Sequence, residues 1–452
     1  MLASRRSTAK MGTDDRQERK EQRSPIALKT TKKFLIVLGL LSAFDLTAQT
    51  PRRPDHPPQI NEMRTPHVPT QFGDPLPGLN AAETTSFTVG QAQFKVVDAI
   101  SAGLGPIFNA QSCVACHSQP IVNNAPTAGG ASAITETRFG KLINGNFDPL
   151  ANEDGTLLHQ MALVPAAQEI IPQDANVVAH RKTTPLFGLG LIEAIPDATI
   201  KANLHNPSVD GVTGRPAILT DAVTTQIGTN TVGRFGWKCQ QATVLAFSGD
   251  AYQNEMGVAN RLFSFDLAPD GNQNILVQCE PPGYSTNGNQ DLPANPNLPE
   301  GPNNKDDIDR FTDFMRLLAP PPTAPLTAQA IIGQRLFHEI NCVACHKPSM
   351  QTSLNATFAL SFKNVPLYSD LLLHHMGTLG DGIAQAAAGP DEMRTAPLWG
   401  LRARKPYLHD GRASTVEAAI RLHDGEASII RERFIDLPQG ERDAIVAFLM
   451  TI

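Results

Sequence analysis

Apolar positions along the chain fall into a few clear patterns, and each predicts an element. The first is a run of eleven, Phe34 to Phe44, closed by Asp45 and preceded by a polar, basic stretch that ends in Lys32-Lys33. A membrane-spanning helix needs ~20 such residues, so residues 1–48 read as an export signal with cleavage near Ala48, or as an N-terminal anchor that is kept. Residues 49–90 form a Pro-rich leader. Further on, Ile308, Phe311, Phe314, Met315 and Leu318 recur at helical spacing up to Pro320, and a second amphipathic helix is predicted from Glu441 to the end of the chain. Strict alternation of apolar and polar residues is weak everywhere, so little sheet is expected. The Pro/Asn/Gly-rich stretch that begins at Cys279 reads as a linker.

The pattern repeats. FNAQSCVACHSQP around Cys113 is answered by FHEINCVACHKPS around Cys342, and KTTPLFGLGL from Lys182 by RTAPLWGLR from Arg394. A duplicated unit follows, with a first half over 91–235, an insertion and linker over 236–306, and a second half over 307–452. The 452 residues are 41% hydrophobic and only 6% aromatic, with a formal charge of -6. That length builds more than one core, and the acidic balance argues against nucleic acid as a partner.

Six cysteines sharpen this picture, because four of them stand in Cys113-Val114-Ala115-Cys116-His117 and Cys342-Val343-Ala344-Cys345-His346. CxxCH is the attachment pattern of c-type haem: two thiols add to the porphyrin vinyl groups and the next His reaches the iron. Random composition gives on the order of 0.002 such matches in a chain this long. A thioredoxin-like CxxC expects a βαβ context, and a zinc site built from both pairs leaves the two histidines unexplained. The fold expected is therefore mainly α: two cytochrome c-like helical domains with loop-rich insertions, each holding one covalent haem c. Pro120 and Pro348 lie where a backbone acceptor for each ligand ring is expected. Cys239 and Cys279 are left for one mutual disulfide, or for two buried apolar cysteines.

RTAPLWGLRARKPYLHDGRASTVEAAIRLHDGEA, from Arg394 to Ala427, resembles the C-terminal domain of bacterial di-haem cytochrome c peroxidases and of the methylamine-utilisation di-haem enzyme. From about Phe94 to Ile452 the chain is still more similar to the di-haem oxidoreductase family, with GPIFNAQSCVACH, PLFGLGLIEAIPDATI, GRFGWK, EMG, YSDLLLHHMGTLGDG and PLWGLRARKPYLHDGRA in that family's order. The resemblance implies a periplasmic oxidoreductase. Electrons from a donor cytochrome or cupredoxin would enter at the C-terminal haem and reduce hydrogen peroxide, or another small oxidant, at the N-terminal haem. A homodimer is compatible with it. Two other readings stay open: an electron carrier with both irons six-coordinate, and a related enzyme that oxidises an organic or protein substrate.

Site residues follow from the same resemblance. His117 and His346 are iron ligands. The second ligand of the electron-transfer haem lies fourteen residues beyond the His of the Tyr-x-His segment, so Tyr407-Leu408-His409 leads to His423, where relatives carry Met or Tyr. That implies a bis-His iron of lower potential, with Met376 the rival ligand and His409 beside a haem edge or propionate. For the N-terminal haem, His159, His180 and His205 are the candidate distal partners. The distal acid falls on Glu193, alone in an apolar string where burial would raise its pKa. Trp237 or Trp399 would lie between the haems. The acids near Asp306 mark the place for an interdomain Ca2+, but lack a regular oxygen-ligand spacing and read as a solvated helix start.

Overall fold

The computed structural model of the protein describes residues 70–123, 125–132, 135–151, 155–279 and 305–452. The signal-like run, most of the Pro-rich leader and most of the linker lie outside these described residues.

Helix Ala81–Phe94 starts at a capping box, in which the Asn80 side chain accepts from the Glu83 N–H and the Glu83 carboxylate from the Asn80 N–H. It lies across helix Asp307–Leu317, where Phe87 and Phe94 reach Phe314 at ring separations of 5.4 and 5.0 Å. Close approach depends on Gly90, because a Cβ there would fall 2.3 Å from the Arg310 carbonyl oxygen. The second half repeats the device. Helix Ala328–Glu339, capped by Thr327, crosses helix Gln439–Leu449 with Phe337 on Phe448 at 5.5 Å, and a Cβ on Gly333 would sit 1.8 Å from the Ala444 carbonyl oxygen.

Each half thus opens and closes with a helix, and the pair crosses at a glycine. The 307–317 helix, placed by sequence in the second half, packs on the 81–94 helix, which runs across the expected end of the leader at residue 90. Segment 236–306 is also more than an insertion. It supplies helix Val244–Met256, capped by Thr243, which packs on the 307–317 helix through Tyr252 and Phe311, rings 5.1 Å apart, and through a 3.0 Å hydrogen bond between the Ser248 and Thr312 hydroxyls. Asp306, expected in solvent, is buried: it caps the 307–317 helix and pairs with Arg261.

Strands are more prominent than expected, so the fold is mixed rather than simply mainly α. Strand Thr135–Ile143 pairs antiparallel with Asn146–Asp148, Leu157–Leu158 and Val177–Lys182. Its hairpin turns on Asn144 and Gly145, both at positive φ, the combination an Asn-Gly turn provides. Register places Glu136 opposite Arg181, and strand pairing puts Glu136, Arg138 and Arg181 on one face. Residues 66–452 form one compact unit. Among the described residues no helix is long and apolar enough to cross a membrane.

Candidate functional site

The second CxxCH follows the 328–339 helix directly. Asn341, at φ 72°, breaks that helix in the left-handed region that Asn tolerates, and Cys342–Ala344 then form one tight turn closed by the His346 N–H on the Cys342 carbonyl at 3.0 Å. The turn puts both thiols and the His346 ring on one cavity of about 1510 Å³, open mouth included.

Across this cavity stands His423, its ring centroid 6.3 Å from that of His346. Each ring turns Nδ1 to a backbone carbonyl, His346 to Tyr368 at 3.0 Å and His423 to Ala419 at 2.8 Å, which leaves Nε2 for a metal. An imidazole–metal bond of about 2.0–2.1 Å, with about 1.15 Å from nitrogen to ring centre, puts two imidazoles about 6.3–6.5 Å apart across one metal. The pair fits an iron between the rings. Burial lowers the pKa of both, to about 4 for His346, and so keeps them in the neutral form that ligates. Met376 and His409 also line the cavity. His409 is buried, which lowers its pKa to about 4.

The first CxxCH forms a single helical turn, Cys113–Cys116, entered from extended Ser112 and closed by the His117 N–H on the Cys113 carbonyl at 3.0 Å. His117 points Nδ1 at the Gly130 carbonyl, 3.1 Å away. Pro120 and Pro348 are therefore not the acceptors of the ligand rings. They act one step removed, their carbonyls taking the N–H groups of Thr127 and Tyr368 and so fixing the segments that carry the acceptors. His117 faces a second cavity, of about 1270 Å³, and is the single imidazole among its lining residues; Met256, with its sulfur 4.0 Å from the Cys113 sulfur, and Met315 also line it.

The wall of this first-half cavity is acidic and basic together. Glu136 and Arg138 come from the long strand, Arg181 from its partner strand, and Asp250 and Glu255 from the 244–256 helix. Burial, then the neighbouring charge of Glu136, pushes Glu255 up to about 7, although Asn109 donates to it at 2.9 Å. Burial acts on Glu136 as well, but Arg138 and Arg181 outweigh it and hold that carboxyl below its usual range. One acid of the pair is poised to carry a proton and the other stays charged.

Trp237 lines both cavities. Its Nε1–H donates to the Lys182 carbonyl at 2.8 Å and its ring meets His409 edge-on at 6.2 Å. Trp399 is buried in the core against Gly188 and lines neither.

Several expected site residues lie elsewhere. Glu193 is absent from both cavity walls: it forms a two-pronged pair with Arg316 and accepts the Val244 N–H at 2.7 Å, so it fixes the start of the 244–256 helix. His159 is buried against Glu169 at 2.8 Å, His180 meets the Thr137 hydroxyl at 3.2 Å, and His205 reaches the Ala344 carbonyl at 3.0 Å, beside the other CxxCH; none lines the first-half cavity. Cys239 and Cys279 are buried in different core clusters and are not bridged to each other. One further group of ligand-type atoms, Cys345, Asp370 and His374, includes a CxxCH thiol, and there His374 is held between Asp370 and Glu426 at 2.9 Å each.

Residues 166–452 match the sequence profile of the family described as "Di-haem oxidoreductase, putative peroxidase". The curated cytochrome-c peroxidase IdrP2 of Pseudomonas sp. (strain SCT) is 28% identical over 164 residues, 31% of this chain and 43% of that protein. The aligned part spans under half of that relative. Among solved structures, a MauG-like protein associated with microbial copper homeostasis aligns at 15% identity over 85% of this chain and 94% of its own, with a TM-score of 0.36. A variant of the di-haem peroxidase BthA from Burkholderia thailandensis aligns at 16% identity over 81% of this chain and 85% of its own, with a TM-score of 0.37.

Proposed function

The chain belongs to the di-haem oxidoreductase family, and from that premise we propose that it is an exported c-type peroxidase which takes electrons at the His346 site and reduces hydrogen peroxide at the His117 site. It is an oxidoreductase with haem cofactors by family. The observation that carries the finer reading is the asymmetry of the two cavities: His346 has a second imidazole 6.3 Å away, whereas His117 is the single imidazole of its cavity. A six-coordinate iron transfers electrons without binding a substrate; an iron with one strong protein ligand has a side free for one.

In this reading Cys113, Cys116, Cys342 and Cys345 hold the two porphyrins by thioether bonds, and His117, His346 and His423 are the iron ligands. Bound haem supplies iron centres that pass electrons one at a time toward the O–O bond. The protein's residues do the rest. Hydrogen peroxide needs two protons and two electrons to become two waters, and Glu255, protonated near neutral pH, delivers a proton to the departing oxygen. Glu136, kept charged by Arg138 and Arg181, holds the proton on Glu255 through its negative charge, and Glu255 takes up its next proton from solvent. Trp237 bridges the two sites. The eleven-residue apolar run and the CxxCH chemistry support a periplasmic location, with a small cytochrome or cupredoxin as electron donor.

The test is spectroscopic and kinetic. EPR and visible spectra of the oxidised and half-reduced protein are expected to show a high-spin fraction in at least one state, together with peroxide consumption driven by a reduced cytochrome. Low-spin haem alone and no turnover in either state would leave an electron carrier. A mature mass that is not two haems above the sequence would sink covalent attachment.

A further inference from the structure

The wall between the two cavities carries buried cations with too few anions. Lys182 is 5% exposed, and its ammonium donates to the Arg404 and Pro406 carbonyls at 2.5 and 2.6 Å. Arg394 donates through Nε to the Gly236 carbonyl at 2.7 Å, and Arg404 to the Pro397 carbonyl at 2.6 Å. Among the described residues no carboxylate lies within 4 Å of any of the three. Arg181, 1% exposed, shares Asp381 with the buried Lys238 and Glu136 with Arg138, two carboxylates among three cations, and its Nη2 is buried without a hydrogen-bond partner. Arg181 and Lys182 line the first-half cavity; Lys182, Arg394 and Arg404 line the other. All gather around Trp237, whose indole binds the Lys182 carbonyl and whose own carbonyl takes the Arg394 N–H.

Carbonyls satisfy the hydrogen bonds of a cation but do not neutralise it, and a charge so placed is costly unless an anion arrives. The strain is legible in the cations themselves. Burial and then Arg404 push Lys182 down to about 8, and burial and then Arg394 push Arg404 down to about 10. The anions have to come from what fills the cavities. A porphyrin of the c type carries two negative groups, its propionates.

Resting on the di-haem reading above, we infer that Arg181, Lys182, Arg394 and Arg404 form a shared receptor for the propionate carboxylates of both haems, and that this positive wall raises both reduction potentials. Arg394 and Arg404 serve the second haem, Arg181 serves the first, and Lys182 stands where it can serve either. These are positioning residues: they act on electron affinity and porphyrin placement, not on peroxide.

The experiment is a spectroelectrochemical titration of the full holoprotein and its K182M and R404Q variants, each checked by mass for two haems. Removal of a positive charge beside a propionate disfavours the extra electron, so at least one midpoint is expected to fall by tenfold or more in the redox equilibrium, about 59 mV for one electron. The propionate bending bands in resonance Raman are expected to shift in the same variants, and R404K to recover most of both effects. K182M removes the ammonium together with its hydrogen bonds to the Arg404 and Pro406 carbonyls, and a K182M protein that loads two haems decides the matter alone if R404Q does not fold. Two-haem variants with both midpoints and the propionate bands unchanged would overturn the inference. A parent protein that lacks two haems instead fails the di-haem reading itself, before any variant is compared.

Discussion

The indole of Trp237 meets the imidazole of His409 edge-on at 6.2 Å, and Trp237 lines both cavities while His409 lines the second. An aromatic wall there shortens the gap that an electron crosses. We expect W237L to load two haems and keep both spectra, yet to slow reoxidation of the second haem by peroxide about tenfold or more, equivalent to ~1.4 kcal/mol in the barrier. Stopped-flow mixing of the half-reduced protein with peroxide measures it. An unchanged rate would remove Trp237 from the path.

His423 decides the character of the second site. Replacement by Met keeps six-coordination but exchanges a nitrogen for a thioether, so the midpoint of that haem should rise. H423A opens the position, and its EPR spectrum should gain a high-spin signal that added imidazole reverses. If H423A leaves the second haem low-spin without imidazole, His423 is not its ligand, and Met376, the rival by sequence, which also lines this cavity, is the next to replace.

How far the sequence reached can be seen residue by residue. His346 was legible because the CxxCH spacing is a local property that covalent attachment fixes, whereas His423 came only from the family resemblance, and it is the fold that sets its ring 6.3 Å from that of His346. The hairpin at Asn144-Gly145 is also written in the chain as an Asn-Gly pair, but alternation in the flanking strands is too weak to announce it. Glu193 misled for a physical reason: an acid in an apolar string has to be satisfied somewhere, and Arg316, 123 positions away, satisfies it. Of the acids that do line the cavity, Glu136 comes from a strand and Asp250 and Glu255 from a helix far away in sequence, and only the tertiary fold brings them together. The crossings of the paired helices were not legible, because Gly90 and Gly333 carry no pattern until the backbone they admit is seen.

The reassignment of Glu193 is itself testable. E193A leaves Arg316 without its partner and the Val244 N–H without its acceptor. Arg316 is partly reached by solvent whereas Val244 is fully buried, so the loss is about 1–3 kcal/mol, most of it from the unpaired N–H. Thermal or denaturant unfolding of the holoprotein should show it, while peroxide turnover per folded molecule stays near the parent value. A large loss of turnover at unchanged stability would return Glu193 to the chemistry.

Glu255 gives the sharpest pH dependence. Its pKa is raised from 4.5 to about 7 by burial and by Glu136, so the protonated form that can donate is full below that value and is lost as pH rises through it. Turnover should therefore fall on the alkaline side of neutrality. E255Q keeps the shape and removes the transferable proton; turnover should drop by ~10²–10⁴-fold and the alkaline limb should vanish. Stability moves in the same window. Between the unfolded value and about 7 the native state binds the extra proton, so stability declines as pH rises across that interval, and E255Q should flatten that slope. The two readouts separate the roles: a flattened stability slope with undiminished turnover would mean that Glu255 titrates as described but that another group carries the proton to peroxide.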